Sequence, residues 1–207
     1  MITAILFDID GTLINSRDSL LATYGHVCDK AGLNANFKGF TELLGKTLTE
    51  IFSELHPEVD PRALVSSFTA ISVTNEHILR AFKGAHSLVD YAVSNADYCG
   101  YLTSKDEERA RRALSSLGFP VLPTFSPTAG LRPKPHPDLF NKARKESVLS
   151  RGLYIGDTID DLGAARRASF DFIFAKWGYG QLPSSELGVH SASSPNQALS
   201  MVRQWIS

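Results

Sequence analysis

Two aspartates, Asp8 and Asp10, follow the apolar run Ala4–Phe7 near the start of the chain. The run is typical of a buried strand, and because side chains alternate along a strand, the two carboxylates start out on the same side. Two anions there repel each other unless a cation lies between them or one carboxyl carries a proton. Gly11 allows a sharp turn where a ligand can approach. The pattern predicts metal or acid–base chemistry, although an ordinary Asp/Gly turn has the same sequence.

A second pair of carboxylates follows another apolar run, Leu153–Ile155. Asp157 lies at the end of that run, and Asp161 lies in the first turn of the next predicted helix, where acidic residues are favoured. Asp160 is explained simply as an exposed acidic residue at the start of the same helix. Asp157, considered alone, is also explained as the N-cap of that helix. Because parallel strands present their carboxyl ends to one crevice, we expect Asp157 to join the first two aspartates.

Two hydroxyl residues, Thr103 and Ser104, end the apolar run Tyr98–Leu102. The hydroxyl of Thr103 and the backbone N–H groups after it are suited to donate hydrogen bonds to a phosphate oxygen. Taken alone, the segment is better explained by Thr103 or Ser104 acting as the N-cap of the next helix. Its position at a strand end makes Thr103 and Ser104 candidate phosphate ligands.

A lysine between two prolines, Lys134, supplies a candidate cation. The prolines restrict the backbone, so the lysine is held in a stiff extended loop. A fixed ammonium suits a cluster of carboxylates and phosphate. A solvated lysine in a Pro-rich turn is the alternative, and Arg132 is a second candidate for the same role. His136 lies near a predicted helix start and is interpreted as a residue without a catalytic role.

Five short, nearly continuous apolar runs indicate strands of a parallel sheet that is covered on both faces. These runs are Ala4–Phe7, Tyr98–Leu102, Val121–Phe125, Leu153–Ile155 and Phe172–Ala175. Helical patterns lie between and after them, at Ala85–Ser94, Asp106–Leu117, Pro137–Ser147, Ile159–Ala168 and Asn196–Trp205. The alternation predicts an α/β fold with a doubly wound, mostly parallel, five-stranded, Rossmann-like sheet.

One interval, from residue 16 to residue 83, has no convincing strand and is predicted to be an all-α cap inserted after strand 1. Its predicted helices are Asp18–Ala31, Thr41–Leu55 and Arg62–Phe82. The predicted domains are therefore an α/β core of residues 1–15 and 84–207 and a helical cap of residues 16–83. An insert at the carboxyl end of a strand borders the ligand crevice, so we expect the cap to cover the aspartates.

The composition excludes several classes of partner. The chain has 207 residues and a net charge of −1, so it offers no basic surface for nucleic acid. No apolar run approaches the ~20 residues that cross a bilayer, so no membrane span is predicted. Cys28 and Cys99 are far apart in the sequence and are interpreted as small, buried, unpaired residues, as is usual for a protein of a reducing compartment. With no basic, cleavable leader in the sequence, a cytoplasmic location is expected.

Taken in order, these segments resemble the motifs of the haloacid dehalogenase superfamily, in its phosphoglycolate phosphatase-like branch with a small helical cap. The matching segments are Asp8–Thr12, Thr103, Lys134 and Gly156–Asp161. Phe82–Gly84 resembles the return from such a cap, and Trp177–Gly180 is similar to a segment of that branch. Asn15 and Ser104 depart from the commoner residues of the family, which bears on substrate preference more than on chemistry.

The resemblance implies that Asp8 attacks phosphorus and forms an aspartyl-phosphate. Asp10 would give a proton to the leaving oxygen and later take one from water. Mg²⁺ would be held by the Asp8 carboxylate, the Asp10 backbone carbonyl and Asp157, with Asp161 orienting that shell.

Thr103, Ser104 and Lys134 would bind the phosphoryl oxygens. By the same resemblance, dehalogenases lack an acid at the position of Asp10, which favours a phosphomonoesterase acting on a small, phosphoglycolate-like ester. The alternatives are a sugar-phosphate mutase of the same fold and a non-catalytic metal- or phosphate-binding regulator.

The cap loop Leu44–Thr47 is the best candidate for a segment that reaches the site and selects the substrate. Lys46, with Thr47 beside it, is placed to meet a substrate carboxylate or a second anionic group. A solvated lysine at a helix break is the favoured alternative, and Arg17 is equally ambiguous. Monomer and homodimer are both compatible with the sequence.

Overall fold

A computed structural model describes residues 3–128, 130–147, 151–186 and 188–207. The described residues form eight strands: β1 Thr3–Phe7, β2 Ile14–Asn15, β3 Arg80–Ala81, β4 Tyr98–Leu102, β5 Thr124–Phe125, β6 Arg151–Gly156, β7 Asp171–Ala175 and β8 Ser191–Ala192. Six of them build one sheet in the order β5-β4-β1-β6-β7-β8, and every neighbouring pair in it is parallel. The predicted α/β fold is confirmed, but the sheet has six strands rather than five.

The strand predictions were wrong at the two edges of the sheet. Of the predicted strand Val121–Phe125, only Thr124–Phe125 pairs with a neighbour, and Val121 is 94% exposed. The additional strand, β8, lies in a Ser-rich stretch for which no strand was predicted. Two residues are too short to show an alternating pattern, so an edge strand of this kind leaves no sequence signal.

Five helices cover the two faces of the sheet: α5 Ala85–Asn95, α6 Glu107–Ser116, α7 Asp138–Ser147, α8 Ile159–Arg167 and α9 Pro195–Ile206. Each lies within one residue of its predicted bounds. Alternate residues of β1 serve opposite faces. Ile5 and Phe7 pack in the cluster under α5, α6 and α9, whereas Ala4 and Leu6 pack in the cluster under α7 and α8. A strand buried on both faces explains why its sequence is apolar without alternation.

The insert contains α1 Arg17–Ala31, α2 Phe37–Glu42, α3 Leu48–Leu55 and α4 Pro61–Ser72, followed by a 3-10 helix at Val73–Ile78. The single helix predicted over Thr41–Leu55 is interrupted at Leu43–Thr47, where Gly45 adopts a φ of +107°. The helix predicted over Arg62–Phe82 ends at Ser72.

The expectation of no strand in this interval was also wrong. Strand β3 pairs antiparallel with β2, which follows the segment Asp8–Thr12. This two-stranded ribbon joins the two ends of the insert.

The insert has its own apolar core, distinct from the two clusters of the sheet. Tyr24 stacks on Phe40 with 4.3 Å between ring centroids, and Phe52 and Phe68 complete the aromatic centre. A separate core supports the predicted division at residues 16–83, which stays a prediction. Among the described residues, no helix is both long and apolar enough to cross a membrane.

Candidate active site

Three polar side chains lie where neighbouring parallel strands end. Asp8 follows β1, Thr103 follows β4 and Asp157 follows β6, and all three are buried. Backbone hydrogen bonds hold two of these ends in register: the N–H of Asp8 donates to Ile155, and that of Thr103 donates to Phe125. The predicted meeting of carboxylates and a hydroxyl at one sheet edge therefore occurs.

Lys134 lies in the centre of this edge and is almost completely buried. Its Nζ donates to Asp8 Oδ1 at 2.8 Å, to Asp161 Oδ1 at 2.6 Å and to the Tyr154 hydroxyl at 3.2 Å. Burial by itself lowers the pKa of Lys134, but the carboxylates of Asp161 and Asp8 outweigh it and raise the pKa above its ordinary value. The lysine is a fixed cation, as its position between prolines predicts.

Asp161 has both carboxylate oxygens filled by donors. Oδ1 accepts from Lys134 and Tyr154, and Oδ2 accepts from the N–H and hydroxyl of Thr158 and from the N–H of Asp157. Thr158 is the N-cap of α8, and it forms a capping box with Asp161. An oxygen atom that already accepts two or three hydrogen bonds has little left for a metal, so Asp161 is suited to orient its neighbours.

Asp157 is held less completely. Oδ1 accepts from the Thr12 hydroxyl at 3.1 Å, and Oδ2 accepts from the backbone N–H of Tyr179 at 2.7 Å. Burial and the neighbouring Asp161 raise the pKa of Asp157 to about 7. Burial likewise raises the pKa of Asp8, with Lys134 acting in the opposite direction. Both shifts arise first from burial and then from neighbouring carboxylates, which disfavour the charged form.

The donor set fits a divalent cation. Asp8, Asp157 and Asp161 each place a carboxylate oxygen within 4.8 Å of the others, and all three are buried. Three ionised carboxylates against the single ammonium of Lys134 leave a charge of −2, which one Mg²⁺ neutralises. Since Asp161 is saturated by donors, Asp8 and Asp157 are the carboxylates with oxygen lone pairs to spare.

Asp10 is paired with a residue that the sequence analysis did not assign. Its Oδ1 lies 2.9 Å from Nζ of Lys105, and both side chains are largely buried. Burial raises the pKa of Asp10, but Lys105, with smaller contributions from Ser16 and Arg109, more than offsets this, so the pKa lies below its ordinary value. Lys105 lies two residues after Thr103, and its N–H donates to the Thr103 hydroxyl oxygen at 3.2 Å. The spacing of residues in the sequence does not predict the contact between Lys105 and Asp10, because the contact depends on the conformation of the segment before α6.

The candidate phosphate ligands lie beside these carboxylates. Thr103 and Ser104 line the same cavity as Asp8, Asp10 and Lys134. The Ser104 hydroxyl is buried without a hydrogen-bond partner among the described residues. An orphaned hydroxyl next to a phosphate-sized space is suited to a phosphoryl oxygen, because leaving a buried hydroxyl unpaired is costly.

The cavity has a volume of about 590 Å³ and lies between the sheet edge and the cap. The cap loop approaches the edge closely: a Cβ on Gly45 would lie 2.7 Å from Cγ2 of Thr158, the residue after Asp157. Lys46 and Thr47 line the cavity as predicted for this loop. Lys46 Nζ lies 2.9 Å from Glu54 Oε2, and Thr47 caps α3 in a capping box with Glu50.

Several other candidates lie outside this arrangement. Arg132 pairs with Asp138 at 2.9 Å, at the start of α7, and so does not share the role of Lys134. His136 does not line the cavity. Arg17 places its guanidinium carbon 4.9 Å from the centre of the Tyr179 ring. Tyr154 is a site residue that was not predicted, and its hydroxyl donates to Asp161.

A doubly wound parallel sheet, an acid-lined strand edge and a helical insert over that edge define a capped α/β hydrolase. A model of the family described as "Haloacid dehalogenase-like hydrolase" matches residues 5–175, and the chain belongs to this family. The resemblance inferred from the four motif segments is thereby confirmed.

Relatives and solved structures agree with this assignment. The chain is 27% identical over 184 residues to a phosphoglycolate phosphatase of Xylella fastidiosa, covering 84% of this chain and 80% of that protein. It is 25% identical over 183 residues to a pyrophosphatase, PpaX, of Bacillus velezensis, with 85% and 84% covered. A haloacid dehalogenase-like family hydrolase of Streptococcus pneumoniae superposes with a TM-score of 0.82 at 21% identity, covering 97% and 98% of the two chains.

Proposed function

We propose that this protein is a Mg²⁺-dependent phosphomonoesterase that works through an aspartyl-phosphate on Asp8. The observation that supports this most directly is the state of the Asp8 carboxylate. Lys134 fixes one oxygen at 2.8 Å, whereas no group in the described ranges donates a hydrogen bond to the other. A buried carboxylate with one oxygen fixed and one free at the floor of a cavity is suited to nucleophilic attack.

In the first step, the free oxygen of Asp8 attacks phosphorus and the bond between phosphorus and the ester oxygen breaks. Asp10 gives its proton to the leaving alkoxide. In the second step, water attacks phosphorus, the bond from Asp8 to phosphorus breaks and the Asp8 carboxylate is restored. Asp10 takes the proton from that water, which returns it to the acid form.

The ion pair with Lys105 bears on the first step, because it favours the ionised form of Asp10. A phosphoryl dianion beside Asp10 acts in the opposite direction: repulsion between the two anions raises the pKa of the carboxyl. Asp10 is therefore expected to gain its proton as the substrate binds. Once it has given that proton to the leaving oxygen, Asp10 is ionised again and is suited to accept a proton from the attacking water.

The remaining residues bind and orient. Lys134 and the hydroxyls of Thr103 and Ser104 would bind phosphoryl oxygens and offset the charge that develops on them. Asp8, Asp157 and the backbone carbonyl of Asp10 would hold Mg²⁺, with Asp161 orienting the shell. When bound, Mg²⁺ supplies positive charge that neutralises the carboxylates and the phosphoryl group.

The partner we propose is a small-molecule phosphate ester. Two relatives are named phosphoglycolate phosphatase and pyrophosphatase, and both names refer to small phosphate compounds as substrates. A sugar-phosphate mutase with the same motifs would return an isomerised sugar phosphate instead of free phosphate. A binding-only regulator would bind phosphate without turnover.

The test is phosphate release from a panel of phosphomonoesters, with and without Mg²⁺, for the native chain, Asp8→Asn and the surface variant Asp90→Asn. We expect Mg²⁺-dependent release that Asp8→Asn abolishes and Asp90→Asn leaves unchanged. Release by Asp8→Asn at the native rate would contradict the proposal, as would binding of phosphate esters with no turnover of any member.

A further inference from the structure

The cavity has two chemically different halves. Its floor, at the sheet edge, carries the carboxylates, Lys134 and the hydroxyls described above. Its roof belongs to the cap and is mostly apolar. The apolar roof residues are Leu20, Phe40, Leu44, Leu48, Ile51 and Val65. A phosphoryl group bound at the floor would direct the rest of its ester towards this roof.

Each lysine and arginine that lines the cavity already has a carboxylate partner within 3.2 Å. The pairs are Lys46 with Glu54 (2.9 Å), Lys105 with Asp10 (2.9 Å), Arg109 with Asp106 (3.2 Å) and Lys134 with Asp8 (2.8 Å). Arg109 is further fixed by the cap, because its guanidinium carbon lies 5.0 Å from the centre of the Phe68 ring. A second anionic group on the substrate therefore meets cations whose charge is already balanced.

The charged residues of the roof also disfavour an anion. Glu50 lines the cavity, where its carboxylate accepts hydrogen bonds from the backbone N–H and the hydroxyl of Thr47. Glu50 therefore adds a negative charge to the roof, where Lys46 is already paired with Glu54. Bringing another carboxylate or phosphate against such a roof removes water from the anion without giving it a free cation.

The roof is in place over the floor in this structure. Gly45 packs so closely on Thr158 that there is no space for a Cβ. The volume of about 590 Å³ lies within the range of about 300–1,000 Å³ that is usual for small-molecule sites. It has room for an organic group larger than a two-carbon acid.

From these observations we infer that the preferred substrate is a phosphomonoester of a neutral alcohol with an apolar body, alkyl or aryl. Phosphate compounds with a second anionic group, such as the ester phosphoglycolate and the anhydride pyrophosphate, are poor substrates. This inference rests on the proposed phosphomonoesterase activity and assigns the roof residues to selection of the leaving group. It departs from the phosphoglycolate-like substrate that the sequence suggested and from a role of Lys46 in binding a carboxylate.

The test compares isobutyl phosphate with phosphoglycolate, which have the same branched shape but differ in charge. With Mg²⁺ present, we expect kcat/KM for isobutyl phosphate to exceed that for phosphoglycolate by at least about tenfold, the scale of burying two or more carbon atoms. From methyl to butyl phosphate, kcat/KM should rise by about fourfold per methylene, since each buried CH₂ contributes about 0.8 kcal/mol. A preference for phosphoglycolate or pyrophosphate, or no dependence on chain length, would overturn the inference.

Binding to Asp8→Asn, measured by calorimetry, separates this inference from the proposed function. If the native protein releases no phosphate from any ester, the phosphomonoesterase proposal fails. Tighter binding of isobutyl phosphate than of phosphoglycolate would still support the apolar roof. Tighter binding of phosphoglycolate, or binding of neither ester, would overturn it.

Two variants test the inference, one through the pairing of Lys46 and one through the apolar character of the roof. Glu54→Gln frees Lys46 and should raise kcat/KM for phosphoglycolate by about threefold or more, the scale of an exposed ion pair. Its control is Glu42→Gln, which breaks the exposed pair with Lys38 on the same cap and should change nothing.

Val65→Thr adds a hydroxyl to the roof at nearly constant volume and should flatten the chain-length dependence. Its control is Val73→Thr, because Val73 is exposed and does not line the cavity. An unchanged chain-length dependence in Val65→Thr would contradict the assignment of the roof.

Discussion

At the scale of single residues, the main feature of the site is the compensation of buried carboxylates by one buried lysine. Asp8 and Asp161 are buried, and Lys134 lies between them as a shared partner. Removing one partner of a buried ion pair leaves a charge without compensation, which is far more costly than the net contribution of the intact pair. Lys134 therefore contributes to both stability and phosphate binding.

Lys134→Met tests this dual role. We expect the free energy of unfolding of the metal-free protein at neutral pH to fall by about 3–5 kcal/mol, because two carboxylates lose their ammonium. Phosphate release should fall at the same time. Lys145→Met, at an exposed position of α7, should change both quantities little. Equal stability of the two variants in denaturant unfolding would contradict this account.

Asp10→Asn tests proton transfer to the leaving group. Hydrolysis of an alkyl phosphate should slow by about 10²–10⁴-fold, the usual range for loss of a general acid. Hydrolysis of p-nitrophenyl phosphate should slow much less in its first step, because nitrophenolate leaves without a proton. Measured by single-turnover kinetics, an equal loss for the two substrates would mean that Asp10 does not protonate the leaving oxygen.

Residue types and spacing predicted the carboxylates, the threonine and the buried lysine, because each lies at a strand end or between prolines. Lys105 and Tyr154 could not be predicted in the same way. Lys105 meets Asp10 only once the loop before α6 lies beside the segment that follows β1, and Tyr154 meets Asp161 only once β6 and α8 are in place. The first contact joins segments far apart in sequence, and the second crosses the turn from a strand to a helix, so neither leaves a local pattern.

At the scale of elements, the cap loop between α2 and α3 is the critical junction. Gly45 there combines a φ of +107° with contact to Thr158, so it needs both the backbone freedom and the missing side chain of glycine. One helix was predicted over Thr41–Leu55, and Leu44–Thr47 within it was also predicted to be a loop that reaches the site. The structure has the loop, because the contact of Gly45 with Thr158 overrides helical propensity there.

Gly45→Ala should weaken closure of the cap over the sheet edge. We expect KM for the preferred ester to rise by about tenfold or more, since a displacement near 1 Å at a site costs about 10²-fold in unfavourable cases. Gly32→Ala is the matched control: Gly32 also has a positive φ, +68°, but nothing lies within 4 Å of a Cβ placed there.

The double variant Gly45→Ala with Thr158→Ser removes the methyl group that the new Cβ meets. It should recover part of the lost KM while the backbone strain remains. If the single and double variants have the same KM, the contact with Thr158 is not the cause.

At the scale of the whole molecule, the charge of the site couples metal, pH and stability. The pKa of Asp157 is about 7 in the folded protein, compared with an ordinary value of 3.8. The folded state therefore binds more protons than the unfolded state between these values. The contribution of Asp157 to stability is greatest below pH 4 and falls as pH rises through this window.

Thermal unfolding from pH 4 to pH 7.5, with and without Mg²⁺, measures this coupling. We expect Asp157→Asn to remove part of the pH-dependent loss in the metal-free protein. Mg²⁺ should raise Tm more at pH 7 than at pH 5, because the metal competes with protons for the carboxylates. An equal effect of Mg²⁺ at both pH values would contradict a metal site built on Asp8 and Asp157.

The central claim is that Asp8 becomes phosphorylated during turnover. The most direct measurement is mass spectrometry of protein quenched in acid within one turnover of a good ester substrate, with Asp8→Asn treated in parallel. We predict one phosphoryl group on the peptide that carries Asp8, present during turnover, lost as phosphate appears, and absent from Asp8→Asn. Turnover with no phosphorylated peptide, or with the phosphoryl group on another residue, would contradict the mechanism.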